Sequence, residues 1–148
     1  MSLKSLLNQD RLKKHTTSKN EIENLLNLIK RDLDDACIQG LSSDRKFSIV
    51  YNAVLQLSTI IIYCTGYKTR GEGHHFYSFQ TLKYILDKQK HDLVDYFDSC
   101  RVKRNIVDYD MAGRISSKDA EELLIEAKKY QEFVLRWLHQ YHPEFSNS

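Results

Sequence analysis

The chain has 148 residues, 41% of them hydrophobic and 28% charged, which is enough for one domain with a real core and too few for two. A formal net charge of +2 excludes a globally basic nucleic-acid binder, so any phosphate-binding footprint has to be local. One proline and five glycines favour long unbroken helices, and the longest apolar run, around residues 59–64, is too short to cross a bilayer.

Taken in chain order, residues 2–14 carry Leu3, Leu6 and Leu7 at helical spacing and predict a short helix leaning on the body. Ser18-Lys19-Asn20-Glu21 reads as a capping box. It opens an amphipathic helix with Ile22, Leu25, Leu26, Ile29, Leu33, Ala36 and Cys37 on one face, and Gly40 is its expected stop. Ser42 or Ser43 caps the next helix, which runs to about Cys64 and is apolar nearly all round. It is the expected centre of the core. Its Ile60-Ile61-Ile62 run could be read as strand, but the flanks are helical and no partner strand is evident.

Gly66 ends that helix, and residues 67–75 read as the one sizeable loop. A helix from about Tyr77 carries Phe79, Leu82, Ile85 and Leu86. From His91, the residues Leu93, Val94, Phe97 and Cys100 lead into an arginine cluster. After Gly113, Ile115-Ser116-Ser117-Lys118-Asp119 has an apolar residue, a cap and an acidic first turn. The last helix carries Ala120, Leu123, Leu124, Ala127, Val134, Trp137, Leu138 and Tyr141 before Pro143.

This pattern predicts an all-α, antiparallel up-and-down helical bundle with a short N-terminal helix, as a single domain over 1–148 with its core at about 18–142. Phe47, Val54, Leu55, Ile61, Leu26, Ile29, Phe97, Leu124 and Trp137 are its expected buried residues. Truncating one such as Leu55 to alanine should cost ~2–5 kcal/mol. Cys37, Cys64 and Cys100 are read as buried free thiols in a reducing compartment. No leader pattern opens the sequence, so a cytoplasmic protein with no membrane association is expected.

The stretch Arg101-Val102-Lys103-Arg104-Asn105-Ile106-Val107-Asp108-Tyr109 is the most informative. Arg101, Asn105 and Asp108 or Tyr109 stack on one side of a helix, and Val94 and Phe97 precede them on that side. The polar cluster therefore continues the core-facing stripe. Arginine there needs a fixed structural partner or an anion. Arg104 and Asp108 could pair four residues apart, which makes scaffold and site equally open readings. Lys68, Arg70, His74 and His75 could form a phosphate-contacting lip beside the arginine helix. A metal at His74 and His75 lacks a third ligand at convincing spacing, and no Glu-x-x-His pairs occur, so neither metal nor cofactor is expected.

With Gly66-Tyr67-Lys68-Thr69-Arg70-Gly71-Glu72-Gly73-His74-His75 after the central helix, and Arg101-x-x-Arg104-Asn105 followed by Tyr109 on the next-to-last long helix, the chain resembles the HEPN family (higher eukaryotes and prokaryotes nucleotide-binding domains) from about 20 to 141. The resemblance implies a homodimer and an RNA- or nucleotide-associated role in a microbial toxin–antitoxin or defence setting, with a nucleotidyltransferase-type partner. It implies a site at Arg101, Arg104, Asn105 and Tyr109. Active family members are metal-independent RNases in which four to six residues separate the arginine from a histidine. Here Val107, Asp108 and Tyr109 stand in that region, so little intrinsic RNase activity is expected. A non-catalytic interaction module with a structural arginine cluster is the alternative, and an RNase using Arg104 and Tyr109 a further one. Literal matches to the arginine–histidine spacing at 70–75 and 136–142 are read as chance.

Overall fold

A computed structural model describes residues 2–109 and 115–146, with the backbone alone for 107–109. The most apolar segment becomes the centre. Helix α3 (Ser43–Cys64) starts at Ser42, whose hydroxyl accepts the Arg45 N–H, and buries Phe47, Val50, Tyr51, Val54, Leu57 and Ile61. Each such side chain stabilises the fold by ~1.5–3 kcal/mol. With one 18-residue stretch at a mean hydropathy of 1.6, this helix is long and apolar enough to cross a membrane by length and composition. Its uninterrupted run at 59–64 is shorter, because Gln56 and Ser58 break the apolar pattern before it. Its apolar surface is instead covered by α2 (Lys19–Asp35), α4 (His74–Ile85), α5 (His91–Tyr109) and α6 (Ser117–Tyr141).

The four long helices alternate in direction, as an up-and-down bundle requires. Side-chain pairs across them show it. Gln56 reaches Asp32 at 3.4 Å, and His15, bonded to Glu21 at the start of α2, has its ring centre 4.4 Å from that of Tyr63 near the end of α3, so α2 and α3 are antiparallel neighbours. Ser58 Oγ bonds Tyr130 Oη at 2.9 Å and Lys46 pairs with Glu121, so α3 and α6 run the same way. Lys90 lies over the Phe133 ring and Lys103 Nζ is 3.6 Å from Asp119, so α5 returns between them. Rings of Phe79, Phe97 and Tyr130 join α4, α5 and α6, with Phe97 and Tyr130 centroids 4.9 Å apart.

Several local expectations are corrected. The first helix is only α1 (Leu3–Asn8), because Asp10 turns the chain with φ +58° and Arg11 N–H closes on the Leu6 carbonyl. Next comes β1 (Leu12–Lys14), which pairs antiparallel with β2 (Tyr67–Thr69), Leu12 opposite Thr69 and Lys13 opposite Lys68. Strands of three residues leave no alternation to read. At Ser18 only half a capping box forms. Its hydroxyl takes the Glu21 N–H, while the Glu21 carboxylate accepts from His15 and Thr17 at 2.7 Å each. Helix α2 stops at Asp35, before Gly40. Cys37 is exposed. Burial pushes the thiols of Cys64 and Cys100 up to about 12 and 11, so both are inert at neutral pH. Leu26, Leu55 and Trp137 pack against the core but stay partly exposed, which puts Leu55→Ala at the low end of its expected range.

Candidate functional site

The segment read as a loop is built for the start of α4. β2 holds its first residues against β1, Arg70 N–H bonds the Arg11 carbonyl at 3.0 Å, and Arg11 Nη1 donates to the Glu72 carbonyl at 3.3 Å. The Arg11 guanidinium also sits 4.7 Å from the centre of the Tyr77 ring. Helix α4 therefore begins at His74, earlier than periodicity suggested, with Gly73 as N-cap at φ +72°. Glycine suits this left-handed position, where other residues are strained. No side chain caps this end. The first N–H groups of the helix point outward with the positive end of its dipole behind them.

Opposite that terminus stands the last part of α5. Gly73, His74, His75, Phe76, Arg101 and Asn105 line one shallow cavity of about 170 Å³. The Arg101 guanidinium lies 5.4 Å from the Phe76 ring centre, and its Nε donates to Asp98 at 2.8 Å. Among the described residues its Nη groups have no protein acceptor. Arg104 is half-buried one turn further, 5.2 Å from the centre of the Tyr51 ring. Tyr51 is fully buried, its ring centre 6.2 Å from that of His75, and its hydroxyl has no hydrogen-bond partner among the described residues. Burial raises the Tyr51 pKa while Arg104 and Arg101 oppose the rise, so it stays a neutral donor.

Of the eight candidate site residues, Arg101, Asn105, His74 and His75 meet at this cavity, and Arg104 stands behind it. Lys68 and Arg70 do not line it. Lys68 lies in β2, close enough to Glu21 to act on its charge, and Arg70 is exposed on the strand side. The Tyr109 side chain, and Asp108 as partner for Arg104, lie outside the described residues. Three participants escaped the sequence reading: Tyr51, Phe76 and Asp98. The i,i+3 spacing of Asp98 and Arg101 was legible, whereas Tyr51 looked like any core aromatic. Among the described residues no three His, Cys, Asp or Glu side chains group as metal ligands.

Burial, with the charges of His74, Arg104 and Arg101, pushes the His75 imidazole down to about 4. An unfolded histidine titrates near 6.5. Between these values the unfolded chain binds the extra proton, so this contribution to stability is complete above pH ~6.5 and is lost as pH falls toward 4. After discounting for the ring's partial exposure, the loss is on the order of 1–2 kcal/mol. Urea melts at pH 7 and 4.5 should show His75→Gln losing less stability on acidification than the parent. Equal losses would mean that His75 is not held neutral.

Comparison with known protein families, curated proteins and solved structures finds no match for this chain.

Proposed function

We propose that the chain is a HEPN-like domain that binds a phosphate of RNA or of a nucleotide at the start of α4. One observation carries this reading: an uncapped helix N-terminus and the arginine–asparagine pair of α5 face one cavity. Such a terminus is an anion site by geometry and dipole. An arginine with open Nη groups adds the fork that fits phosphate oxygens. The test is anisotropy of a labelled single-stranded RNA at low salt. Arg101→Gln should weaken binding roughly tenfold, the share of one good charged contact. Its melting temperature should move by no more than a few degrees, because Asp98–Arg101 is an i,i+3 pair within one helix, worth ~0.2–0.5 kcal/mol. No binding by the parent at ~100 µM, the weak end of non-specific affinity, would sink the proposal.

The same samples address the RNase alternative. Its supporting observation is His75, a neutral imidazole brought from α4 to the arginines, where the sequence of α5 has no histidine after Arg104. We keep binding as the primary reading and expect intact RNA in EDTA. Cleavage abolished by both His75→Gln and Arg104→Ala would promote the alternative.

The proposed assembly is a homodimer through α5, in the cytoplasm, with a nucleotidyltransferase-type protein as further partner in a toxin–antitoxin or defence setting. Val102 and Ile106, 46% and 39% exposed on one face of α5, support self-pairing, since apolar residues on a shared face suit a two-fold contact. Light scattering should give twice the chain mass at tens of micromolar, a working range for weak interfaces. A monomer there would count against the dimer.

A further inference from the structure

At the other end of α5, before its first turn, a second and larger pocket of about 540 Å³ opens between the end of α4 and the last turns of α6. That volume lies within the range of small-molecule sites. Its walls divide by chemistry. Phe133, Trp137, Tyr141 and His142 supply aromatic surface. The Trp137 ring centre is 6.0 Å from that of Tyr141 and 5.0 Å from that of His142. Tyr141 is 60% exposed. Lys90 and Arg136 add positive charge at the rim, and neither is ion-paired among the described residues. Lys90 Nζ stands 4.3 Å from the Phe133 ring centre. The amides of Gln89 and Gln140 also face the pocket, each able both to donate and to accept. Asp87 is the one acidic residue of the lining, and Glu144 stands beside His142, 3.6 Å from its Nδ1.

Flat aromatic surface, two-way amides and unpaired cations are the three elements that recognise a planar hydrogen-bonding ring carrying an anion. Bases stack on such rings in single-strand binding sites, and cations hold the attached phosphate. We propose that this pocket binds a nucleotide, its base against Trp137 and Tyr141 and its phosphate toward Lys90 and Arg136. A peptide segment without acidic groups would use the aromatic wall but would leave the two cations without a counter-charge. The pocket shares no residue with the cavity at the start of α4, so it stands or falls independently of that reading.

The chain has a single tryptophan, and it lies in this pocket, so intrinsic fluorescence reports on this site directly. Titration with AMP should quench Trp137 saturably, with a Kd on the order of 1 mM or tighter. Tyr141→Ala keeps the reporter and removes one stacking face, and it should raise the Kd roughly tenfold, within the range of one stacked base. Arg136→Gln, at an exposed position, should weaken AMP similarly. Lys13→Gln, an exposed position that lines neither cavity, should leave the titration unchanged. Three results would overturn the proposal. The first is no saturable quenching by AMP up to ~10 mM, below which even weak sites register. The second is equal quenching by ribose 5-phosphate, which has no base. The third is competition by an unphosphorylated tyrosine-containing peptide as effective as AMP, which would make the pocket a protein-docking site.

Discussion

Replacing Phe97 with alanine is expected to remove about 3–5 kcal/mol of stability, the usual cost of emptying a buried phenylalanine site. Phe97 is fully buried. Its ring meets Phe79 of α4, Tyr96 on its own helix and Tyr130 of α6, at centroid distances of 6.5, 5.8 and 4.9 Å. Three helices would therefore lose contact surface at once, and rigid rings on all sides collapse poorly into the gap. A domain of this size has only ~5–15 kcal/mol in total, so the melting temperature should fall by roughly 10 °C or more. Arg101 lies one turn beyond Phe97 on the same face, so loosening this packing should also blur the cavity that Arg101 lines. A thermal melt or urea titration gives the answer. A loss below ~1 kcal/mol would mean that the core does not turn on this residue.

The second large effect is on Arg104→Ala, where binding and stability are measured on one variant. As a site residue, Arg104 adds positive charge behind the phosphate cavity, and its loss should weaken RNA binding ten- to a hundredfold, about 1.4–2.8 kcal/mol. Stability should drop by less than ~1 kcal/mol. The His75 imidazole should titrate closer to its ordinary value, because Arg104 is among the charges that hold it down, and NMR of the ring would show this. As scaffold the pattern reverses. Binding would be little affected while ~3–5 kcal/mol of stability disappeared, the cost of breaking a buried ionic arrangement. Arg104 stands over the buried Tyr51 ring and close to His75, and measuring binding and stability on one variant separates the two outcomes.

The helical bundle was legible because the core-facing residues recur at 3.6-residue spacing over long stretches, and that pattern alone commits the chain to helices. Ser42 and Ser116 as caps were legible too, since the residues that satisfy the first N–H groups lie within a turn of them. The arginine cluster's place on the inner stripe was legible only in part: Arg101 follows Val94 and Phe97 inward and ends half-buried, whereas Asn105, expected beside it, is exposed and Arg104 is the other half-buried residue. What failed was non-local. The pairing of residues 12–14 with 67–69 joins two three-residue strands far apart in the chain, and its hydrogen bonds leave no local periodicity. The start of α4 at His74 depends on that pairing and on Arg11, because Gly73 and the histidines would otherwise read as loop.

Candidate chemistry divides along the same line. By itself the sequence determined which residue types were available: arginines and an asparagine at helical spacing on α5, and a histidine pair after a glycine. Only the tertiary structure decided which of them meet. It brought His74 and His75 to Arg101 and Asn105, sent Lys68 to the side of Glu21 and left Arg70 exposed. It also gathered Lys90, Arg136, Trp137 and Tyr141 into one pocket. Periodicity fixes the face on which a side chain lies. Which face comes opposite it depends on how the helices pack, and packing is settled by contacts between residues that are distant in the chain.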